Sequence, residues 1–152
     1  MKYEELLKEA DDYGLLVKEK SLKAHRGRIK GNRIAIKENL YNNVVKACIL
    51  VEELGHYHTT VGDILDQSDI NNRKQERKAR AWGYERLISV LDIINAYKNN
   101  ITNRYELSEY LNVTEEFIDE AIEHYYKKHG YYCRVGKYVV YFNPLAVMEI
   151  WE

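Results

Sequence analysis

The run KACILVEELGHYHTT, residues 46–60, constrains this chain more than any other stretch. Cys48, Ile49, Leu50, Val51 and Leu54 give it the apolar face of a buried helix, yet the same helix takes up Glu52, Glu53 and His56 without a break. Side chains four apart share one face of a helix, so Glu52 and His56 can grip a common object. Glu53 stands one position round, within reach of whatever is held there. Four consecutive apolar residues before Glu52 argue against a fully solvated pair.

The spacing is that of the zinc-protease pattern H-E-x-x-H, where two ligands one turn apart flank a glutamate that works as general base. Here the pattern reads E-E-L-G-H, with Glu52 in the first ligand position. A mononuclear site of this kind takes a third protein ligand from another element. Glu76 is the candidate, because it opens the next long helix and is followed by small Ala79 and Ala81, which permit close packing. Composition alone favours the other reading of Glu76, an ion-pair partner of Arg73 or Arg80 at helical spacing. His58, two positions after His56, points away from it and is read as a supporting or rim residue, not as a ligand.

Around this helix the pattern alternates between helical and extended stretches. Tyr3, Leu6, Leu7 and Ala10 recur at helical spacing, with Gly14 as a stop. LLVKEKSL reads as extended, and GRIKGNRIAIKENL sets Ile29, Ile34 and Ile36 about a Gly-Asn turn, so a small antiparallel sheet is expected. Asn42 or Asn43 caps the motif helix, and Gly62 lies just past its expected end. A single helix is expected from Ile70 to about Lys98. Short helices follow, one around residues 105–111 and one from Thr114 to Gly130. Two strands about Val135-Gly136-Lys137 then end at Pro144.

The expected fold class is α+β, a small antiparallel sheet packed on a helical core that carries a zincin-like motif helix, with a C-terminal helix pair and β-hairpin. One domain is expected over residues 1–152, with a catalytic-like core at 1–100 and a helical and hairpin extension at 101–152. Twenty-three basic against 24 acidic residues leave a net charge of -1, which gives no general pull toward nucleic acid or a membrane surface. Cys48 and Cys133 belong to no C-x-x-C pair, which fits a reducing cytoplasm. MKYEELLKEADDYG has no signal-peptide character, and no apolar run is long enough to span a bilayer. ELSEYLNVTEEFIDEAIEHY has the outline of a helix-turn-helix, but acids open its second helix and would face phosphates. The tyrosines at 125, 126, 131, 132, 138 and 141 read as a half-buried surface that packs on the core or binds a protein segment, with packing preferred.

These stretches together resemble the ImmA/IrrE family of metallopeptidase-like proteins, in particular the short forms of phages and mobile elements in Gram-positive bacteria. KYEELLKEA, GRIKGNRIAI, ILVEELGHYHTTVGDIL, QERKARAWGYERLI, YELSEYLNVTEEFIDEAIEHYYKKHG and YVVYFNPL carry the resemblance, which covers nearly the whole chain. It implies a zinc metallo-endopeptidase with His56 as second motif ligand, Glu76 as downstream acidic ligand and Glu53 as general base. It also implies a helix-turn-helix repressor of the mobile element as protein substrate, with no direct nucleic-acid partner. Glu52 stands where better-known members have histidine. A Glu-His-Glu set carries one more negative charge than His-His-Glu, which weakens the ion as a Lewis acid and moves preference toward manganese or another oxygen-seeking divalent ion. The alternative is a pseudo-peptidase that binds a regulatory protein without cutting it.

Overall fold

The motif helix is held from its first turn. In the computed structural model, which describes residues 2–40, 42–59 and 70–151, helix α2 spans Asn43–Thr59, and the Val45 N–H donates to Asn42 Oδ1 at 3.0 Å. Asn42 thereby satisfies one of the amide donors that a helix start leaves open. The expected stop at Gly62 lies outside the described residues. Two compact units divide the chain, Met1–Gly83 and Tyr84–Glu152.

In the first unit, α1 (Lys2–Asp12) buries Tyr3, Leu6 and Ala10 and lies on α2. Strands β1 (Leu16–Lys20), β2 (Gly27–Lys30) and β3 (Arg33–Lys37) form a sheet in the order β1-β3-β2. The β2–β3 hairpin turns through Gly31, whose φ of 59° is open to glycine without strain. β3 carries the fully buried Ile34 and Ile36, so it takes the central place and is covered on both edges. β1 pairs with it in parallel, which makes the sheet mixed where an antiparallel one was expected. Alternating burial is the same whichever way a neighbour runs; the segment 21–26 carries the chain past the central position into β2, and the β2–β3 hairpin then brings β3 back between them in the direction of β1. The motif helix touches both β2 and β3.

The helix expected from Ile70 to about Lys98 is two helices, α3 (Ile70–Leu87) and α4 (Val90–Lys98). Ser89 separates them. Its hydroxyl accepts from the Asp92 N–H at 3.0 Å, and the Asp92 carboxylate accepts from the Ser89 N–H at 2.9 Å. This reciprocal cap satisfies the donors of a new helix start, so the apolar run through Leu87 and Ile88 restarts there.

The second unit continues with α5 (Arg104–Leu111) and α6 (Glu115–His129), the latter capped by Thr114, whose hydroxyl accepts from the Phe117 N–H at 3.0 Å. The sheet that follows has three strands, β4 (Tyr132–Val135), β5 (Tyr138–Phe142) and β6 (Leu145–Glu149), all antiparallel, where two were expected. Pro144 lies in the turn between β5 and β6, where its missing N–H costs no ladder bond, and so it redirects the chain. Ile93, Leu107, Phe117, Ile118, Tyr125, Val140 and Phe142 make the core of this unit. Of the tyrosines expected to pack, Tyr125 does, and its hydroxyl donates to the Ile88 carbonyl at 2.6 Å. Tyr131, in the turn before β4, is exposed, as are Tyr132 and Tyr141, cross-strand partners on the open face of the sheet. Among the described residues no helix is long and apolar enough to cross a membrane.

Candidate metal centre

The close approach of α2 and α3 builds the site. Gly55 packs on the backbone of Ala79, and Gly83 packs on Val51 one turn along, so small residues form the seam between the two helices. Glu76 is thereby brought beside His56, with His56 Nε2 lying 3.3 Å from Glu76 Oε2. Glu52, one turn before His56, completes the group, and the three residues each offer a ligand atom within 4.8 Å of the others. On the other side of α2, β2 crosses at Gly27. A side chain there would press on Ile49 and on the Glu53 carboxylate.

These donors suit a divalent ion. A tetrahedral ion with bonds of about 2.0–2.1 Å sets its ligand atoms roughly 3.3 Å apart, the spacing found between His56 and Glu76. One imidazole nitrogen and two carboxylate oxygens form a mixed set acceptable to zinc and, with its two oxygens, to manganese. His56 is 8% exposed, and its Nδ1 is buried without a hydrogen-bond partner among the described residues, which leaves Nε2 as the nitrogen facing the cluster.

The carboxyl groups divide into different states. Burial pushes Glu53 up to about 7; His56 opposes the rise, and Glu52 and Glu76 add to it. Burial also raises Glu52, with the adjoining Glu76 carboxyl adding to it. Glu76 goes the other way: burial would raise it, but hydrogen bonds with His56 and Glu52 outweigh that and hold it down at about 2. For His56, burial acts to lower the imidazole, and the surrounding carboxylates, Glu76 first, raise it overall. A group poised near neutrality beside a firmly ionised one is the division of labour that proton transfer requires.

The expected residues Glu52, His56 and Glu76 come together, and Glu53 is buried against Gly27, outside that group but near enough for its carboxyl to feel the charge of all three. His58 stays out of the cluster, its ring stacked on Trp82 at 4.6 Å and edge-on to Tyr13 at 4.7 Å. Sequence spacing missed the part of Arg80. Its Nε lies 3.3 Å from Glu52 Oε1 and 3.5 Å from Glu76 Oε1, so the ion pair considered for Glu76 exists alongside the cluster and includes Glu52. The i, i+4 spacing of Glu76 and Arg80 was a readable signal; the reach across to α2 was not.

Compared with known families, the chain matches the model of the IrrE N-terminal-like domain of the M78 peptidases over residues 10–123, from the end of α1 into α6. No curated protein and no solved structure matches it.

Proposed function

The chain belongs to the IrrE N-terminal-like family of M78 metallopeptidases, and from that premise we propose that it is a cytoplasmic, metal-dependent endopeptidase that cuts a helix-turn-helix repressor of the mobile element encoding it. The observation that carries this reading is the convergence of Glu52, His56 and Glu76, with the buried Glu53 carboxyl within electrostatic reach of all three. Glu52, His56 and Glu76 would hold the ion, zinc first and manganese as the alternative. When bound, such an ion supplies Lewis acidity toward the scissile carbonyl and toward water. Glu53 takes the proton from the attacking water and returns it to the leaving amine. A carboxyl near 7 can do both at neutral pH.

The neighbouring strand favours an extended peptide as ligand. β2 lies at an edge of its sheet, and Gly27 at its start touches Glu53. An unpaired strand edge can accept a peptide as a further strand through main-chain hydrogen bonds. Duplex DNA is not the partner proposed, because α6 opens with Glu115 and Glu116.

One observation favours the second reading, a groove that binds a repressor without cutting it: Glu52 already has a counter-cation in Arg80 without any ion. The deciding experiment measures the metal content of protein purified without chelator, then repressor cleavage by the native chain and by Glu53→Gln. Stoichiometric metal with cleavage lost only in Glu53→Gln supports the enzyme. A folded, metal-free protein that binds repressor and leaves it whole supports the groove.

A further inference from the structure

We propose that Arg80 is a positioning residue of the candidate metal centre, a fixed counter-cation that ties Glu52 to Glu76 and offsets the charge Glu52 brings. Arg80 follows Glu76 by one turn of α3 and reaches across to α2, placing Nε 3.3 Å from Glu52 Oε1 and 3.5 Å from Glu76 Oε1. Both carboxylates meet it through Oε1. For Glu76 the other oxygen, Oε2, is the one 3.3 Å from His56.

A guanidinium suits this position because it is planar, permanently charged and weakly hydrated. The Arg80 side chain is 52% exposed, so it holds the carboxylates from the solvent side without the cost of burying its own charge. An ordinary surface ion pair contributes little. This one differs because its removal leaves two carboxylates from separate helices facing each other, and like charges at such range disfavour their common ionisation. With Arg80 counted, the cluster carries the net charge of a two-histidine, one-glutamate set. Glu52 and Arg80 thus form one substitution in physical terms.

The inference rests on the metal reading of the site, and its test separates the two. Arg80→Gln is made in the native chain and in a Glu52→His chain, Arg80→Lys is made in the native chain, and each is followed by thermal unfolding without metal and by zinc calorimetry. In the native chain Arg80→Gln should lower the metal-free Tm by about 2–4 °C. In the Glu52→His chain it should cost less than half as much. Arg80→Lys, which keeps the charge and loses the fork, should recover part of the loss. Zinc should bind the Arg80→Gln protein several-fold tighter, since a cation beside the ion has gone. Equal Tm losses in the two backgrounds, no loss in the native chain, or zinc affinity that is unchanged or weaker would overturn the role of Arg80. If no variant binds zinc or manganese, the metal reading itself fails, whatever the coupling in Tm.

Discussion

The α-carbon of Gly55 rests against the backbone of Ala79, and a methyl group placed on it would collide with the Ala79 carbonyl. Glu76 lies three residues before that contact and His56 one residue after it, so the glycine sets the distance between two candidate ligands. Gly55→Ala should force α2 and α3 apart and destabilise the protein by about 1–3 kcal/mol through overpacking. In an open helix the same change would stabilise by roughly 0.5–1 kcal/mol, so the sign alone is diagnostic. Thermal unfolding with far-UV circular dichroism measures it, and a stabilised variant would show that the helices do not touch there.

Glu53 should make the metal-free protein pH-sensitive. Its carboxyl is raised from an ordinary 4.5 to about 7, so the folded state binds a proton that the unfolded chain gives up earlier. The stability that follows is fully present below about pH 4.5, declines as pH rises, and is lost above about 7. The span corresponds to roughly 3 kcal/mol at 1.36 kcal/mol per pKa unit. Glu53→Gln should remove this decline and leave the variant more stable than the native chain at pH 8. Urea unfolding from pH 4.5 to 8 in the presence of chelator reads it directly; parallel curves for the two proteins would refute the assignment.

Exchanging the first ligand should retune the ion. Glu52→His is expected to tighten zinc binding and reduce the relative affinity for manganese, as one oxygen donor becomes nitrogen. His56→Ala should weaken both by at least about tenfold while the circular dichroism spectrum is kept. Metal titrations of the three proteins decide it. Zinc and manganese affinities insensitive to both changes would place the ion elsewhere.

Ser89 should matter to the second unit alone. Its hydroxyl and the Asp92 carboxylate cap α4 reciprocally, and Ser89→Ala should cost about 1 kcal/mol. Hydrogen exchange should show faster opening in α4 with α2 unaffected. Uniformly faster exchange would mean that the cap supports more than its own helix.

Duplex binding should be weak and unselective. α6 begins with two acids, and Arg104 is already engaged with Glu115 at 3.2 Å and Asp119 at 2.6 Å. Sequence-selective binding in a salt-dependent gel shift, lost on changing exposed residues of α6, would contradict this.

Much of this arrangement was legible before the fold was known, and the reasons differ by feature. The motif helix announced itself through Ile49, Leu50, Val51 and Leu54, and Glu52 and His56 had to share a face once it was helical. The hairpin at Gly31 and the caps at Asn42 and Thr114 are local chemistry, readable within four residues. Ser89-Val-Leu-Asp92 was equally local, but the apolar periodicity around it masked the restart. Strand direction was not legible, since Val17, Ile34 and Ile36 alternate in the same way in either sense. Nor was the purpose of Gly55: in sequence it only weakens a helix, and it gains meaning from Ala79, a neighbour far along the chain. Arg80 was visible as a partner of Glu76 and invisible as a partner of Glu52 for the same reason.

The stack of His58 on Trp82 gives the molecule an optical gauge of its own. One ring belongs to the motif helix and the other to the helix that supplies Glu76, so the indole spectrum registers the spacing of the two. The chain has two tryptophans, and Trp151 is 82% exposed, so its emission forms a steady, water-like background. Trp82 is half-buried against the imidazole, so a change in its emission reports a change in the spacing of the two helices, with no label attached.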